Sequence, residues 1–447
     1  AILQRFVFEL HQSNVKLSSL DPTKVPIAQK VVKSFFDLTD EYLRPFEQTY
    51  QGRMLFPVRD DDSIFLSLAA FREHLLADTL TYAFTQAKHP ERLFIGAVVQ
   101  NCFGRVVNGT NVIDTSGKPC KTGAQVIGKN EKGKDMTKVS DAPPDMNGIE
   151  VFCSDTEFKK YCDNGQIRVL YIHETESLGP AMARYYASKF WGGETFYIQC
   201  DSHLQFATNW DEKYIKEIKA TLNYPKSILS SYPPGFQEGR TDGTVKETNG
   251  GRLCRCETKL EDPNPILRIN NGGQNYRGTE PRPTQIPFMA AGFFFTHATF
   301  LKDVPFDPYL PWCFMGEEIA LSMRAWTSGW NMYAPRKNYI THQYRPGRMG
   351  LPKFWGTVNR LYGGIAMNNR LQSRTIRRIK YLVGYPQTRQ NLQNQSDSLV
   401  LTDLDKYGLG TQRSWRDYMD FAHLAIDEEN NAMRCSKIEW CNKGLKE

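Results

Sequence analysis

The sequence predicts an α/β fold with a mostly parallel central sheet and helices on both of its faces. Near-continuous apolar runs such as RLFIGAVVQ, residues 92–100, are typical of strands that are buried on both faces. These runs alternate with helical segments, and strand–helix–strand repetition implies right-handed crossovers between parallel strands. Ligands collect at the carboxyl ends of the strands in such sheets, so we expect the functional residues there.

The predicted elements alternate most regularly in the first half of the chain. Helical periodicity is clearest between residues 178 and 190, where apolar and aromatic residues recur on one face. The predicted elements of this half are a helical N-terminal extension at 1–60, a strand at 63–71, a helix around 73–86, a strand at 92–100, an inserted loop at 103–148, a strand at 167–174, the helix at 178–190 and a strand at 195–200. Those of the second half are an irregular segment at 232–283, a core strand at 286–296, a helix at 316–330, and helices at 353–384 and 411–434.

The composition is that of an ordinary globular protein. Of 447 residues, 40% are hydrophobic and 23% are charged, and the formal net charge is +7. This excess suits an anionic partner such as a phosphate-bearing small molecule, but no block of Lys and Arg indicates nucleic-acid binding. No run approaches the about 20 apolar residues of a membrane span. We therefore expect membrane contact only through an N-terminal anchor that lies outside this chain.

The cysteines and two sequons favour a secretory setting. The chain has ten cysteines, and three local disulfides are predicted from proximity in sequence, namely Cys153/Cys162, Cys254/Cys256 and Cys435/Cys441. The glycosylation patterns are Asn108-Gly109-Thr110 and Asn394-Gln395-Ser396. An oxidising compartment is the interpretation that accounts for both features.

A candidate metal-binding motif follows the strand FYIQC, residues 196–200. The strand ends on Asp201-Ser202-His203, and alternate residues of extended backbone point the same way. A carboxylate and an imidazole on one side suit manganese, iron or zinc better than calcium. Taken alone, the triplet is more typical of an Asp that caps a turn beside an exposed His than of a metal site.

His342 supplies the candidate third ligand. It lies in YITHQYRPGR, residues 339–348, with Arg345 and Arg348 available to bind diphosphate oxygens. Alone, it would be a structural histidine at a strand end. Glu317 begins a predicted helix, where the helix dipole favours a carboxylate in any case.

The order of these motifs resembles the mucin-type polypeptide N-acetylgalactosaminyltransferases and, more closely, the related polypeptide (hydroxyproline or threonine) alpha-N-acetylglucosaminyltransferases. The motifs that carry the resemblance are Asp201-Ser202-His203, the helix from Gly316-Glu317 to Arg324-Ala325-Trp326, His342-Gln343-Tyr344-Arg345 after Pro335, GPAMAR at 179–184 and FMAAGF at 288–293. Met315 and Ala320 depart from the glycine and glutamate expected of the galactosaminyl group, and no lectin-like repeat is present. These departures favour the glucosaminyl relatives.

The resemblance implies a GT-A fold and retaining, metal-dependent transfer from UDP-GlcNAc to a polypeptide hydroxyl of Thr, Ser or hydroxyproline. It implies a catalytic domain at 61–350, with a nucleotide half at about 61–205 and an acceptor half at about 206–350, and a helical C-terminal extension at 351–447. Mn²⁺, with Mg²⁺ as an alternative, would be held by Asp201, His203 and His342. The implied catalytic residues are Glu317, Asp201 and Arg345. The implied donor-binding residues are Ser67, Ala69, Arg72, Gly179, Arg184, Asp201, Ser202, Ala291, Gly292, Trp312, Tyr344 and Arg348.

Three alternatives to this function stay open at the level of sequence. One is a related enzyme that uses UDP-GalNAc. Another is a non-haem iron oxygenase, since two histidines and one carboxylate also describe its metal site. The third is an inactive sugar-binding module of the same fold. For location, the Golgi lumen is expected, with the cytoplasm as the alternative.

Overall fold

A computed structural model gives the architecture of the protein. It describes residues 1–21, 26–50, 53–102, 105–107, 110–112, 120–236, 245–270, 280–344, 353–362, 365–394 and 398–443. Among the helices of these ranges, none combines the length and the apolar character needed to cross a bilayer.

The helices frame both ends of the chain and cross between the strands. They are α1 Ile2–Ser18, α2 Ile27–Leu38, α3 Arg44–Thr49, α4 Leu76–Gln86, α5 Gly148–Ser154, α6 Lys159–Asp163, α7 Pro180–Ser188, α8 Trp210–Lys219, α9 Phe300–Asp303, α10 Glu317–Thr327, α11 Phe354–Tyr362, α12 Ile365–Val383, α13 Pro386–Asn394, α14 Ser398–Leu401, α15 Leu404–Tyr407, α16 Trp415–Phe421 and α17 Glu439–Lys443.

The strands form one large sheet and several short pairs. They are β1 Ile64–Phe71, β2 Leu93–Asn101, β3 Arg105–Val107, β4 Thr110–Val112, β5 Cys120–Lys121, β6 Gln125–Lys129, β7 Asp135–Lys138, β8 Asp141–Ala142, β9 Ile167–His173, β10 Phe196–Asp201, β11 Leu204–Phe206, β12 Ser227–Ser230, β13 Thr248–Asn249, β14 Arg255–Thr258, β15 Leu267–Asn270, β16 Thr284–Ile286, β17 Phe293–His297, β18 Asn331–Ala334, β19 Lys337–Asn338, β20 Ile340–His342, β21 Leu424–Asp427 and β22 Ala432–Cys435.

The central sheet has eight strands in the order β16-β18-β12-β17-β10-β1-β2-β9. β10, β1, β2 and β9 run parallel to one another, and β12 runs parallel to β18. β17 is antiparallel to both of its neighbours, β10 and β12. The predicted α/β class with a mostly parallel central sheet is confirmed, and the carboxyl ends of β1, β2 and β10 share one edge.

The side chains of β1 alternate between the two faces of the sheet, and both faces are buried. Phe65 belongs to one buried apolar cluster, whereas Ile64 and Leu66 belong to the other, as expected when successive side chains point to opposite faces. On the Phe65 face, a Cβ at Gly96 would lie 2.2 Å from the Phe65 ring of β1 and 3.1 Å from the carbonyl of Ala187 in α7. Glycine in β2 therefore leaves room for the Phe65 ring and for this helix.

The N-terminal helices pack into the same core as the sheet. Phe6 of α1 lies 6.1 Å from Phe35 of α2, and its ring is 6.2 Å from Tyr186 of α7, measured between centroids. The Phe35 ring in turn lies 5.9 Å from Trp312. The helical character predicted for residues 1–60 is present in α1 to α3, but these helices cover the α7 face of the sheet. The domain boundaries stay predictions.

Four predicted segments differ from the structure. The irregular segment predicted at 232–283 contains the strands β13, β14 and β15 within its described residues, and β14 pairs antiparallel with β15. Residues 103–148 contain short hairpins in place of a loop, because a disulfide between Cys102 and Cys120 and the β5–β8 pair hold the base of the segment together. The single strand predicted at 286–296 is two strands, β16 and β17, since residues 287–292 leave the sheet. Residues 411–434 are helical only in α16, and the hairpin β21–β22 follows, turning at Asn431, whose φ is +45°.

Two of the three predicted disulfides were wrong. Cys153–Cys162 is present, but Cys254 pairs with Cys441 and Cys256 pairs with Cys435. Cys256 lies on β14, which packs beside β22, so the true partner is next to it in space although 179 residues away in sequence. Cys200 and Cys313 are buried and unpaired. The two sequons include residues outside the described ranges.

Candidate active site

The structure brings Asp201, His203 and His342 together at the carboxyl edge of the sheet. β10 ends at Asp201, and the chain turns at once into β11, which pairs antiparallel with β20 so that Leu204 lies opposite His342. One ligand atom from each of the three residues lies within 4.8 Å of the other two. The Nε2 atom of His342 is 2.9 Å from Oδ2 of Asp201 and 3.0 Å from Nε2 of His203.

The protonation of His203 leaves its Nε2 available as a ligand. Its Nδ1 donates to Oε2 of Glu73 at 2.6 Å, and the Glu73 side chain is buried. Because the proton is on Nδ1, Nε2 carries the lone pair. Burial also lowers the pKa of His203, against the opposing charge of Asp201, and so favours the neutral ring.

This donor set fits a divalent cation. Nδ1 of His342 is buried without a hydrogen-bond partner in the described residues, and its Nε2 faces both Asp201 and His203. Two lone pairs and a carboxylate oxygen that converge this closely repel one another unless a cation or a proton lies between them. Two imidazole nitrogens with one carboxylate are suitable ligands for manganese, iron or zinc.

Glu73 was missed by sequence reasoning. It stands two residues after the end of β1, at the same edge of the sheet as Asp201, and that position was the available signal. The resemblance implies its charged neighbour Arg72 as a site residue instead. The side chain that reaches His203 belongs to Glu73, which also accepts from the backbone N–H of Leu75 at 3.0 Å.

Arg184 links the metal-ligand set to Glu317. Its guanidinium donates from Nη2 to Oδ1 of Asp201 at 3.2 Å and from Nη1 to Oε2 of Glu317. Burial alone would raise the pKa of Asp201, but the hydrogen bond with His342 and the charge of Arg184 hold it well below its usual range. Asp201 is therefore ionised, with Oδ1 held by arginine and Oδ2 facing the histidines.

Glu317 keeps one carboxylate oxygen free. It begins α10 directly after Gly316, whose φ is +90°, and it is buried. Burial raises the pKa of Glu317, and the charge of Arg184 opposes this rise. Oε1 of Glu317 and Nε of Arg184 have no hydrogen-bond partner among the described residues. A ligand with hydroxyl groups would supply such partners.

The predicted residues Ala291 and Gly292 lie against Asp201. The Ala291 carbonyl accepts from the side chain of Gln199 at 2.5 Å, and its N–H donates to Glu318 at 3.1 Å. A Cβ at Gly292 would lie 3.1 Å from Oδ2 of Asp201. The absent side chain keeps open the space beside the oxygen that faces the histidines.

Ser67, Ala69 and Ser202 are also at this edge. Ala69 of β1 stands beside Asp201 in the register of the sheet, and Ser67 stands beside Gln199. The Ser202 hydroxyl donates to the Ala69 carbonyl at 3.2 Å. These contacts fix the end of β10 against β1, which holds the Asp201 side chain in place.

Other predicted donor-binding residues make different contacts. The Arg72 guanidinium donates from Nε and Nη2 to the two carboxylate oxygens of Asp145, at 2.7 and 2.8 Å, and from Nη1 to the Lys121 carbonyl at 2.6 Å. Gly179 precedes α7, and the N–H of Trp312 donates to the Leu178 carbonyl at 2.6 Å. Among the described residues, neither Arg72 nor Trp312 forms a hydrogen bond or an ion pair with the three candidate ligands.

Tyr344 flanks the site, whereas the two arginines that follow it are not described. The Tyr344 ring lies 4.2 Å from the His342 ring, and its hydroxyl donates to the Pro233 carbonyl at 2.7 Å. Arg345 and Arg348 lie outside the described residues. Their roles at a diphosphate stay predictions, as do the roles of the other site residues.

Comparison with known proteins identifies the family. The family model described as Glycosyltransferase (GlcNAc) matches residues 63–428. No curated protein matches the chain. Among solved structures, GalNAc-T7 with UDP, GalNAc and Mn²⁺ is 12% identical with a TM-score of 0.43, and the alignment covers 86% of this chain and 56% of that one. TarS of S. aureus, residues 1–349 with UDP-GlcNAc, is 13% identical with a TM-score of 0.33, covering 77% and 78%.

These two structural similarities are too low to carry an argument about chemistry, and this chain spans little more than half of the length of the GalNAc-T7 chain. The family match, in contrast, extends along most of the chain. It begins at the start of β1, ends after β21, and includes every strand of the central sheet and all three candidate metal ligands. Since it extends over well more than half of the chain, the protein belongs to the Glycosyltransferase (GlcNAc) family.

Proposed function

We propose that the protein transfers N-acetylglucosamine from UDP-GlcNAc to a hydroxyl group of a polypeptide, with retention of the alpha configuration and dependence on a divalent cation. The observation that carries the proposal is the convergence of Asp201, His203 and His342, with Glu73 fixing the tautomer of His203. The choice of GlcNAc is supported by the description of the family. The choice of a polypeptide acceptor rests on the motif order from Asp201 to Arg345.

Asp201, His203 and His342 are the residues that would hold Mn²⁺ beside the donor diphosphate. When bound, the cation supplies Lewis-acid stabilisation of the negative charge on the departing UDP. Arg345 and Arg348 would add positive charge to the same oxygens. Arg184 keeps Asp201 ionised and oriented, so the ligand set is formed before the donor arrives.

Glu317 would orient the hydroxyl groups of the sugar or of the acceptor. Its free Oε1 is an acceptor in a buried setting, where a hydrogen bond to a hydroxyl is favourable. The acceptor oxygen forms its bond to C1 of the sugar on the face from which UDP departs, and the acceptor proton passes to the departing phosphate oxygen. No protein nucleophile is required in this step.

A donor screen tests the proposal. Purified protein would be incubated with UDP-GlcNAc, UDP-GalNAc or UDP-glucose, with Mn²⁺, and with a mixed set of peptides that contain Thr, Ser or hydroxyproline. Transfer of GlcNAc, detected by mass spectrometry, is the expected result. Transfer of GalNAc alone would favour the related galactosaminyl function, and turnover of 2-oxoglutarate with iron would replace the proposal by an oxygenase.

A matched pair of histidine variants tests the site. His342→Ala is expected to abolish Mn²⁺-dependent binding of UDP, measured by calorimetry. His297→Ala is the control, since His297 pairs with Phe196 at the opposite end of β10 in the same sheet. If His342→Ala bound UDP and Mn²⁺ as the wild type does, the proposed metal site would be wrong.

We propose that the protein acts in an oxidising compartment, the Golgi lumen by preference. The four disulfides support this location, because such bonds persist where thiols are not kept reduced. Mass spectrometry after alkylation, with and without reduction, is expected to find two free thiols before reduction. Ten free thiols in protein isolated from its own cells would favour the cytoplasm.

A further inference from the structure

A two-stranded ribbon, residues 120–142, projects from the protein and has no role in the proposed chemistry. Its outer part is the hairpin β6–β7, and within the described residues each of these strands pairs only with the other. β6 is exposed except for a half-buried Gly128, and β7 is fully exposed. A lone two-stranded ribbon is marginally stable in water, and the outer edges of its strands carry backbone groups that can pair with another chain.

The base of the ribbon is attached at the edge of the sheet that bears the candidate active site. Cys102, directly after β2, forms a disulfide with Cys120 of β5. Arg72, directly after β1, donates to the Lys121 carbonyl at 2.6 Å and pairs with Asp145. Because β1, β2 and β10 are parallel, the ends of β1 and β2 lie at the same edge as Asp201. The ribbon therefore starts on the side where an acceptor must approach.

The ribbon carries an excess of positive charge. Between residues 121 and 138 the chain has five lysines, Lys121, Lys129, Lys132, Lys134 and Lys138, and two carboxylates, Glu131 and Asp135. Lys121 pairs with Asp141. The other four lysines are exposed and form no ion pair with any residue that the structure describes. These four lysines are therefore available to pair with the carboxylates of an acidic partner.

Apolar side chains are exposed on both faces of the ribbon. The exposed fractions are 41% for Val126, 61% for Ile127 and 43% for Met136. Val126 lies opposite Thr137, the neighbour of Met136, so Val126 and Met136 point to opposite faces. A lipid surface requires the apolar side chains to be gathered on one face. A peptide strand alongside the ribbon would contact both faces with its alternating side chains.

We propose that the ribbon binds an extended, acidic segment of the acceptor polypeptide by adding it as a third strand beside the hairpin. This inference rests on the proposed function for the identity of the partner. Backbone hydrogen bonds to a free strand edge would supply affinity, and lysines with the exposed apolar residues would select segments in which acidic and β-branched residues alternate. The segment lies next to the hydroxyl that is glycosylated, so the ribbon sets which hydroxyl is presented.

Synthetic peptides test the proposal. The short acceptor peptide is a Thr-containing peptide of neutral residues. The extended peptide adds Asp-Val-Glu-Val-Asp-Ile, and a third peptide adds Lys-Val-Lys-Val-Lys-Ile in its place. We expect the acidic extension to lower both the Kd, measured by fluorescence anisotropy, and the KM for transfer by about tenfold at low salt, with kcat unchanged. The basic extension is expected to have no such effect.

A variant with reversed charge in the ribbon supplies the second arm of the experiment. Lys132→Glu with Lys134→Glu, at the exposed hairpin turn, is expected to remove the advantage of the acidic extension and leave kcat on the short peptide intact. Lys30→Glu with Lys302→Glu, also exposed but on other elements, is the matched control and should keep the advantage. Equal Kd values for the acidic and basic extensions would overturn the proposal. So would an acidic-extension advantage that survives the ribbon substitutions.

Two further outcomes separate the alternatives. Sedimentation with phosphatidylserine vesicles that is lost in the ribbon variant, together with unchanged peptide binding, would assign the ribbon to a membrane surface and overturn the proposal. If no peptide accepts sugar, the proposed function fails, and the anisotropy measurement still decides whether the ribbon binds acidic strands.

Discussion

Among the clusters of charged side chains that are buried in the described part of the protein, two use their hydrogen-bonding capacity differently. The first, which we call the site cluster, contains Asp201, His203, His342, Arg184 and Glu317. The second, the Glu47 network, joins Glu47 of α3 to Tyr185 and Lys189 at the end of α7 and to Lys406 and Tyr407 of α15. Both bury carboxylates and cations together, so burial of charge alone does not distinguish a functional site.

The Glu47 network is closed. One oxygen of Glu47 accepts from Tyr185 at 2.9 Å and Lys189 at 2.5 Å, and the other accepts from Lys406 at 2.9 Å and Tyr407 at 3.2 Å. No buried side-chain atom of these five residues lacks a hydrogen-bond partner among the described residues. The physical effect of the network is to tie the N-terminal helices and the C-terminal region to α7.

The site cluster is open. One oxygen of Glu317, one nitrogen of His342 and the Nε of Arg184 lack partners among the described residues, and two imidazole nitrogens face each other. Unpaired buried polar atoms cost free energy, and a bound ligand with complementary groups would recover it. The comparison teaches that unused bonding capacity distinguishes the site cluster from the Glu47 network, whereas charge and burial do not.

The largest effect is expected from Asp201→Asn. The substitution removes the anionic metal ligand and the partner of Arg184, so transfer should fall by at least about 10³-fold because transition-state charge is no longer stabilised. Mn²⁺-dependent UDP binding should be lost, while the circular dichroism spectrum stays that of the wild type. Retained transfer in this variant would show that the open cluster is not the active site.

Glu47→Ala tests the closed network. Removing the carboxylate leaves Lys189 and Lys406 without their buried partner, so the free energy of unfolding should fall by about 3–5 kcal/mol. Denaturant unfolding measures this fall. Affinity for UDP with Mn²⁺ at a temperature where the variant is folded should equal that of the wild type. A selective loss of UDP binding would mean that the two clusters are coupled.

Glu73→Gln is expected to give an intermediate effect at the site cluster. The amide cannot accept the His203 proton as strongly as a carboxylate, so the tautomer and basicity of His203 are less well set. Affinity for Mn²⁺ should fall by about 10- to 100-fold, measured by calorimetry with the metal in the presence of UDP. Unchanged Mn²⁺ affinity would reduce Glu73 to a packing role.

The smallest expected effect is a pH dependence of stability from Glu47. Burial would raise its pKa, but the charges and hydrogen bonds of Lys189 and Lys406 lower it from 4.5 to about 2. A depressed carboxyl pKa contributes stability above pH 4.5 that is lost as the pH falls towards 2. The difference in free energy of unfolding between the wild type and Glu47→Gln should therefore shrink across this range. A constant difference would contradict the assigned pKa.

Much of the site could be predicted because its residues stand at strand and helix ends. Asp201 and His203 follow an apolar strand, His342 ends another, and Glu317 starts a periodic helix, so local pattern located all four. Glu73 and the pairing of Arg184 with Asp201 could not be predicted in this way, since each depends on which strands are neighbours. The order β10-β1-β2 and the pairing of β11 with β20 decide those contacts.

The sequence by itself determined the α/β class, the positions of the core strands and the candidate metal ligands, because hydrophobic periodicity and strand ends are local properties. Only the tertiary structure decided the disulfides of Cys254 and Cys256, the hairpins within 103–148, the Glu47 network and the role of Arg72 at the base of the ribbon. These features join residues far apart in the chain. Their energies depend on which groups meet when the sheet forms, and no local pattern records that.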